Sequence, residues 1–135
     1  MTIAICLDDD NGILFNGRRQ SRDRVLINDL INSAAADQMI WIHPYSLPLF
    51  QEFADRVRVD EDYLHRAADT DICFVEREKL SGMQDRIDGW IVYRWNRRYP
   101  SDNKLTTELD GYRKTAERDF AGSSHERITR EEYSC

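Results

Sequence analysis

Ile3-Ala4-Ile5-Cys6-Leu7, closed by Asp8-Asp9-Asp10-Asn11-Gly12, is a nearly continuous apolar run that stops at a strong turn signal. Unbroken apolarity over so short a span predicts a strand buried on both faces, as in a parallel or mixed central sheet. The next segment is Gly12-Ile13-Leu14-Phe15-Asn16-Gly17-Arg18-Arg19-Gln20-Ser21-Arg22-Asp23-Arg24. It crowds Arg18, Arg19, Arg22, Arg24 and Asp23 into the loop and first helical turn after that strand. A loop that only connects rarely needs so much charge among glycines and apolar residues, so the segment reads as the wall of a site.

Working outward, Ser21 is a suitable N-cap for the next helix. That helix would place Val25, Leu26 and Leu30 inward, with Ile27 at the margin of the apolar face. Met39-Ile40-Trp41-Ile42 is a second strand, broken by His43-Pro44-Tyr45. Ser46 would cap a short helix through Leu49, Phe50 and Phe53, with Pro48 in its first turn. Val57-Arg58-Val59 is extended, and Asp60 would cap a helix from Glu61 to Ala68. Ile72-Cys73-Phe74-Val75 is another buried strand, and Glu76 to Gln84 reads as a short helix. Gly89 to Trp95 reads as the longest strand, and Lys104 to Tyr133 as two antiparallel strands around Asp119 to His125. Strands alternating with helices before a terminal strand pair predict an α/β layer fold.

The chain has 135 residues, a length suited to one domain spanning 1–135. Its net charge of −6 argues against broad nucleic-acid or membrane attraction. Sixteen of its 19 cationic side chains are nonetheless arginine, the residue with a planar fork for carboxylates and phosphates. Cys6, Cys73 and Cys135 form no CxxC pair, so two read as small buried hydrophobes and one as a loose terminal thiol. With no secretory pattern after Met1 and no apolar run of spanning length, the expected location is the cytoplasm.

Three constellations compete with plainer explanations. Arg18, Arg19, Arg22 and Arg24 with Asp23 suggest an anion site in which the free amides of a helix start add to the guanidinium forks; the alternative is surface pairing with Asp8, Asp9, Asp10 and Asp23. Arg94, Trp95, Asn96, Arg97, Arg98 and Tyr99 interleave arginine with aromatic rings, which fits either stacking on bases or a nucleotide or an edge-strand face with the stacking inside the protein; strand alternation puts Tyr93 and Trp95 on one face and Arg94 and Asn96 on the other. Gly122-Ser123-Ser124-His125-Glu126 sets serine beside histidine. On a strand only Ser123 shares a face with His125; the alternative is a turn whose serines satisfy backbone groups. Glu76, Glu78, Glu131 and Glu132 read as solvated, and His43 and His65 as structural.

The order of landmarks resembles the dihydrofolate reductase family. Its members open with a strand, a glycine-containing loop carrying an asparagine, and a helix start holding the pterin-binding carboxylate. Ile3–Leu7, Gly12, Asn16 and Asp23 take those places in order, and Trp90–Trp95, Asp102 and the terminal strand pair follow the later part of the plan. The segments RRQSRDR (18–24), YRWNRRYPSD (93–102) and FAGSSHE (120–126) also resemble a set of small bacterial proteins, some labelled ribonuclease Z. That label requires a metal motif of the form HxHxDH, whereas His43, His65 and His125 stand apart from one another.

The family resemblance implies a three-layer α/β/α domain with a mixed central sheet and a C-terminal antiparallel strand pair. It also implies departures from the family. The glycine pair over which the reductase holds its cofactor pyrophosphate is replaced by Glu76-Arg77-Glu78. His43-Pro44-Tyr45-Ser46 replaces a second cofactor motif, and the threonine that supports the pterin carboxylate falls on Tyr93. The expectation is therefore a reductase-like scaffold without the NADPH motifs, with no cofactor and no metal. An anionic small molecule would bind in the remnant cleft, with Arg18, Arg19 and Arg22 holding the anion and Asp23 orienting a polar ring or amine. Tyr93 or Trp95 would stack on the ligand, and the terminal hairpin would bring Ser123 and His125 toward Asn16 or Arg18. No catalytic residue is assigned. The alternatives are a protein–protein interaction module using the same surface and a divergent reductase.

Overall fold

The first strand, β1 (Thr2–Leu7), sends Ile3, Ile5 and Leu7 into one hydrophobic cluster and Ala4 into another on the opposite face. Strict alternation between two interiors explains why the run shows no polar period. The computed structural model describes all residues from Met1 to Cys135. After β1 come a short hairpin, β2 (Gly12–Phe15) and β3 (Arg18–Arg19), then α1 (Arg24–Ser33) and β4 (Ile40–Ile42). A run of 3₁₀ turns over Pro44–Arg56 leads to β5 (Val57–Val59), α2 (Tyr63–Arg66) and β6 (Ile72–Val75). The chain ends with β7 (Gly89–Arg94), β8 (Asn103–Lys104), β9 (Arg113–Phe120) and β10 (Ile128–Ser134).

Seven strands form the main sheet in the order β5-β4-β6-β1-β7-β10-β9. The pairs from β5 through β7 are parallel, and β10 runs antiparallel to both β7 and β9. Ile3 pairs with Cys73 of β6 and with Trp90 of β7, which sets β1 at the centre. On one face, Leu26, Ile27, Leu30 and Ile31 of α1 and Phe50 of the 3₁₀ run pack on Ile40, Ile42, Phe74 and Ile91. On the other, Tyr63 and Leu64 of α2 and the loop residues Leu80, Ile87 and Leu105 cover Ile3, Ile5, Val75 and Val92. This is a three-layer α/β/α arrangement with a mixed sheet and a terminal antiparallel pair, as the sequence implied.

Several local expectations are corrected. The supposed loop after β1 contains a hairpin, because Asn16 and Gly17 take φ values of 52° and 71° and so make a tight primed turn. Asp23, not Ser21, is the N-cap of α1. The helix buries Ile27 and Ile31 and leaves Val25 37% exposed, a face rotated from the expected one. Glu76 to Gln84 is not helical; Gly82, with φ of 86°, interrupts it, and only Gln84–Arg86 forms a 3₁₀ turn. The helix expected over Glu61–Ala68 shrinks to the single turn of α2. The longest strand is β9 with 8 residues, not β7 with 6. As the sheet edge with neither face covered, β9 shows no apolar alternation by which to recognise it. Glu131 is buried between Arg94 and Lys114 and is not solvated.

Candidate functional site

The carboxyl ends of β1, β6 and β7 converge under the start of α1, the usual place for ligands on open parallel sheets. Two carboxylates build this corner. Asp8, just after β1, accepts hydrogen bonds from the backbone N–H of Asp10, Gly12 and Tyr99 and from Gln20 Nε2. Burial raises its pKa, but these donors outweigh burial and hold the group below the ordinary carboxylate value. Asp8 thereby ties the segment before α1 to the loop after β7.

Asp23 is the second. Its Oδ1 accepts from the N–H groups of Val25 and Leu26, as an N-cap should, and also from Ser123 N–H and Ser123 Oγ. Its Oδ2 accepts from Ser124 N–H at 2.8 Å and faces His125 Nδ1 at 3.0 Å. Burial again opposes the charge, but the amide and imidazole donors prevail and hold Asp23 down to about 2. The turn between β9 and β10 can approach so closely because residue 122 is glycine: a Cβ there would overlap Asp23 Oδ2.

A carboxylate cannot donate, so Nδ1 of His125 carries a proton, and in the neutral ring Nε2 is then the acceptor. Two hydroxyls face Nε2, Ser21 Oγ at 3.0 Å and Tyr99 OH at 3.0 Å. The imidazole also stacks on Trp95, with ring centroids 4.5 Å apart and planes 26° from parallel. Ring position, tautomer and orientation are therefore all constrained.

Beside this network lies a narrow cavity of about 20 Å³, room for roughly one water molecule. Its walls include Cys6, Gln20, Ser21, Glu76 and Trp95. Gln20 Oε1 is buried without a hydrogen-bond partner. Cys6 is kept protonated chiefly by burial, with the charges of Glu76 and Asp23 adding to the effect. Arg22, Asp23, Ile27 and Leu49 also line an open groove of about 260 Å³ between α1, the 3₁₀ run and the Ser123–Ser124 turn. No group of His, Cys, Asp and Glu residues is arranged to hold a metal ion, and no helix is long and apolar enough to cross a membrane.

The expected site residues divide sharply. Arg22, Asp23, Trp95, Ser123 and His125 come together here. His125 meets Ser21, Asp23 and Tyr99 rather than Asn16 or Arg18. Asp23 is not a free carboxylate available to orient a ligand, since six donors surround it. The amides at the start of α1 are not free either: Arg24 N–H donates to Ser123 Oγ, and the next two are taken by Asp23. Arg19 is neutralised by Glu76 through Nε at 2.9 Å and Nη2 at 3.1 Å, and its guanidinium lies over the Tyr45 ring. Tyr93 is wholly buried and donates to Asp29 at 2.6 Å, so it stacks on no ligand in the cleft. Trp95 lines the cavity, but one of its faces is covered by His125. Asn16 and Arg18 stand apart, on a shallow groove with Phe15, Tyr99 and Pro100.

Sequence reasoning missed Ser21 as a partner of His125, Tyr99 as its neighbour and Glu76 as the counter-ion of Arg19. The Asn16-Gly17 dipeptide between Phe15 and Arg18 was the signal for the hairpin that sets these side chains in place. No local signal exists for Tyr99 or Glu76, which arrive from distant strand ends.

No known family profile matches the chain, and no curated protein matches it. Among solved structures, the dihydrofolate reductase from Enterococcus faecalis complexed with NADP(H) and RAB-propyl is similar with a TM-score of 0.66. The match covers 99% of this chain and 95% of that one at 11% sequence identity. Likeness at so low an identity speaks to architecture and leaves function to the site. The chain has a dihydrofolate reductase-like α/β fold.

Proposed function

We propose that the cleft under the start of α1 binds a small anionic molecule. The observation that carries this is Arg22: it is exposed, makes no ion pair or side-chain hydrogen bond, and lines both the cavity and the open groove. Arg24 stands beside it in the groove, held only loosely by Glu52 at 3.8 Å. Arginines at a helix start oppose the helix dipole unless an anion compensates them. Here the capping carboxylate is already spent on amides and on His125, which leaves the Arg22 fork for a ligand.

The residues at the end of β6 do not fit a dinucleotide pyrophosphate. Glu76 and Glu78 present carboxylates there, the first held by Arg19 and Ser46, the second by the Tyr63 hydroxyl. The inner cavity is too small for a fused ring, so a ligand occupies the groove and reaches inward with a small group.

Calorimetric titration with short mono- and dicarboxylates, phosphate monoesters and NADPH tests this reading. At least one carboxylate or phosphate ester is expected to bind, and Arg22→Ala to weaken it about 10- to 100-fold, the worth of a charge-assisted hydrogen bond. Binding of none of the anions, or binding indifferent to Arg22, overturns it. Tight binding of NADPH alone would favour the divergent reductase.

A further inference from the structure

We infer that Ser21, His125 and Asp23 form a nucleophile, base and orienting carboxylate, and that the cleft hydrolyses short-chain carboxylic esters. The choice of an anionic ester as substrate rests on the anion site proposed above; the relay itself does not.

The geometry meets each requirement of such a relay. Ser21 Oγ is 3.0 Å from His125 Nε2, and His125 Nδ1 is 3.0 Å from Asp23 Oδ2. The carboxylate is fully buried and the imidazole nearly so, with side chains 0% and 3% exposed. The serine lies at an opening: Ser21 is half-buried and lines the cavity that continues into the groove through Arg22. A purely structural tie between α1 and the terminal hairpin is already complete through the amides of Ser123 and Ser124. His125 adds a basic nitrogen aimed at two hydroxyls. Of these, Ser21 faces the cavity, whereas Tyr99 lines the groove beyond the β2–β3 hairpin. Ser21 is therefore the nucleophile. The acyl chain of the ester, with its free carboxylate, lies in the open groove beside Arg22.

In the first half-reaction, Ser21 Oγ bonds to the ester carbonyl carbon while Nε2 takes the hydroxyl proton. The bond from that carbon to the alkoxy oxygen then breaks, and Nε2–H returns the proton so that an alcohol leaves. Water next attacks the acyl-serine carbon and gives its proton to Nε2. The bond to Ser21 Oγ breaks, Oγ recovers the proton, and a carboxylic acid is released. The sum is ester plus water to acid plus alcohol. Asp23 acts as a positioning residue that fixes the imidazole tautomer.

The test treats the full-length protein with a fluorophosphonate, locates any adduct by peptide mass mapping, and follows hydrolysis of p-nitrophenyl acetate and the mono-p-nitrophenyl ester of succinic acid. The expected result is a single phosphonyl adduct on Ser21 and a turnover lowered about 100-fold or more in Ser21→Ala. A comparable fall in turnover is expected in His125→Gln. Tyr93→Phe, remote from the cleft, serves as the unaffected control. Because His125→Gln removes a buried contact, Ser21→Cys supplies an independent readout. Its introduced thiol should alkylate with iodoacetamide at least about 10-fold faster than Cys135, which lies outside the relay. No adduct on Ser21, turnover unchanged in Ser21→Ala, or an introduced thiol in Ser21→Cys that reacts no faster than Cys135 overturns the relay. Arg22→Ala separates the two proposals: loss of preference for the succinate ester supports the anion site, while an unchanged preference with Ser21 still labelled overturns the anion site and leaves the relay standing.

Discussion

Two aspartates six residues apart, at the cap and in the body of α1, tie the helix to the same terminal hairpin, and they do it in opposite ways. Asp29 accepts hydrogen bonds from Tyr93 OH at 2.6 Å, Arg118 at 2.6 Å and Arg130 at 2.7 Å. Two cations and a phenol close around one carboxylate, and Arg130 also reaches Glu132 and lies over the Tyr93 ring. Asp23 instead gathers amides, a serine hydroxyl and a single imidazole, with no cation of fixed charge in contact. The Asp29 cluster ends in its own cations. The Asp23 cluster ends in a histidine nitrogen that faces two hydroxyls, one of them on the cavity wall. Neutralising a buried carboxylate with arginine closes a structural joint, whereas neutralising it with dipoles and imidazole leaves reactive capacity at the far nitrogen.

Asp23→Ala is the strongest test of this contrast. It removes the helix cap and strands the amides of Ser123 and Ser124 and the imidazole N–H, so a loss of about 4 kcal/mol in urea unfolding is expected. Gly122→Ala pushes a methyl group into the Asp23 carboxylate and is expected to cost about 3 kcal/mol. Asp29→Ala leaves the largely buried Arg130 with Glu132 as its one counter-ion, at an expected cost of about 2 kcal/mol. Asp29→Ala should leave anion binding in the groove unchanged. A greater loss in Asp29→Ala than in Asp23→Ala would break the comparison, because the arginine cluster would then be the stronger joint.

Acid titration sharpens it. Asp23 sits at about 2 in the folded state, below its ordinary value of 3.8, so its contribution is present above that ordinary value and is lost as pH falls through about 2. The stability advantage of wild type over Asp23→Asn should therefore shrink by about 2 kcal/mol between about pH 5 and about pH 2, measured by urea midpoints at each pH. The smallest effect is expected from Tyr93→Phe, about 1 kcal/mol from one hydrogen bond, with hydrolysis and anion binding unchanged.

How much of this was legible in the sequence differs by element. β1 was readable because burial on both faces leaves a continuous apolar run. β6 and β7 were readable for the same reason, since their residues divide between the two hydrophobic clusters. The edge strand β9 had no such mark, and α2 is too short for a helical period to show. Asn16 drew attention as a site residue, yet its left-handed backbone serves the hairpin turn. Arg19 and Tyr93 looked available for a ligand because their partners, Glu76 and Asp29, lie 57 and 64 residues away.

The sequence by itself determined the layered α/β plan, because burial on one or both faces of an element is written in the local spacing of apolar residues. It also marked the charged stretch before α1, because charge density is a local property. Only the tertiary structure decided which of those charges stay open and which are spent. Ser21 and His125 are 104 residues apart, and Asp23 and His125 are 102 apart. They meet because the antiparallel register of β10 on β7 swings the hairpin turn over the start of α1, where a glycine lets it close on a carboxylate. Register between distant strands depends on the packed sheet as a whole, so no local spacing encodes that meeting.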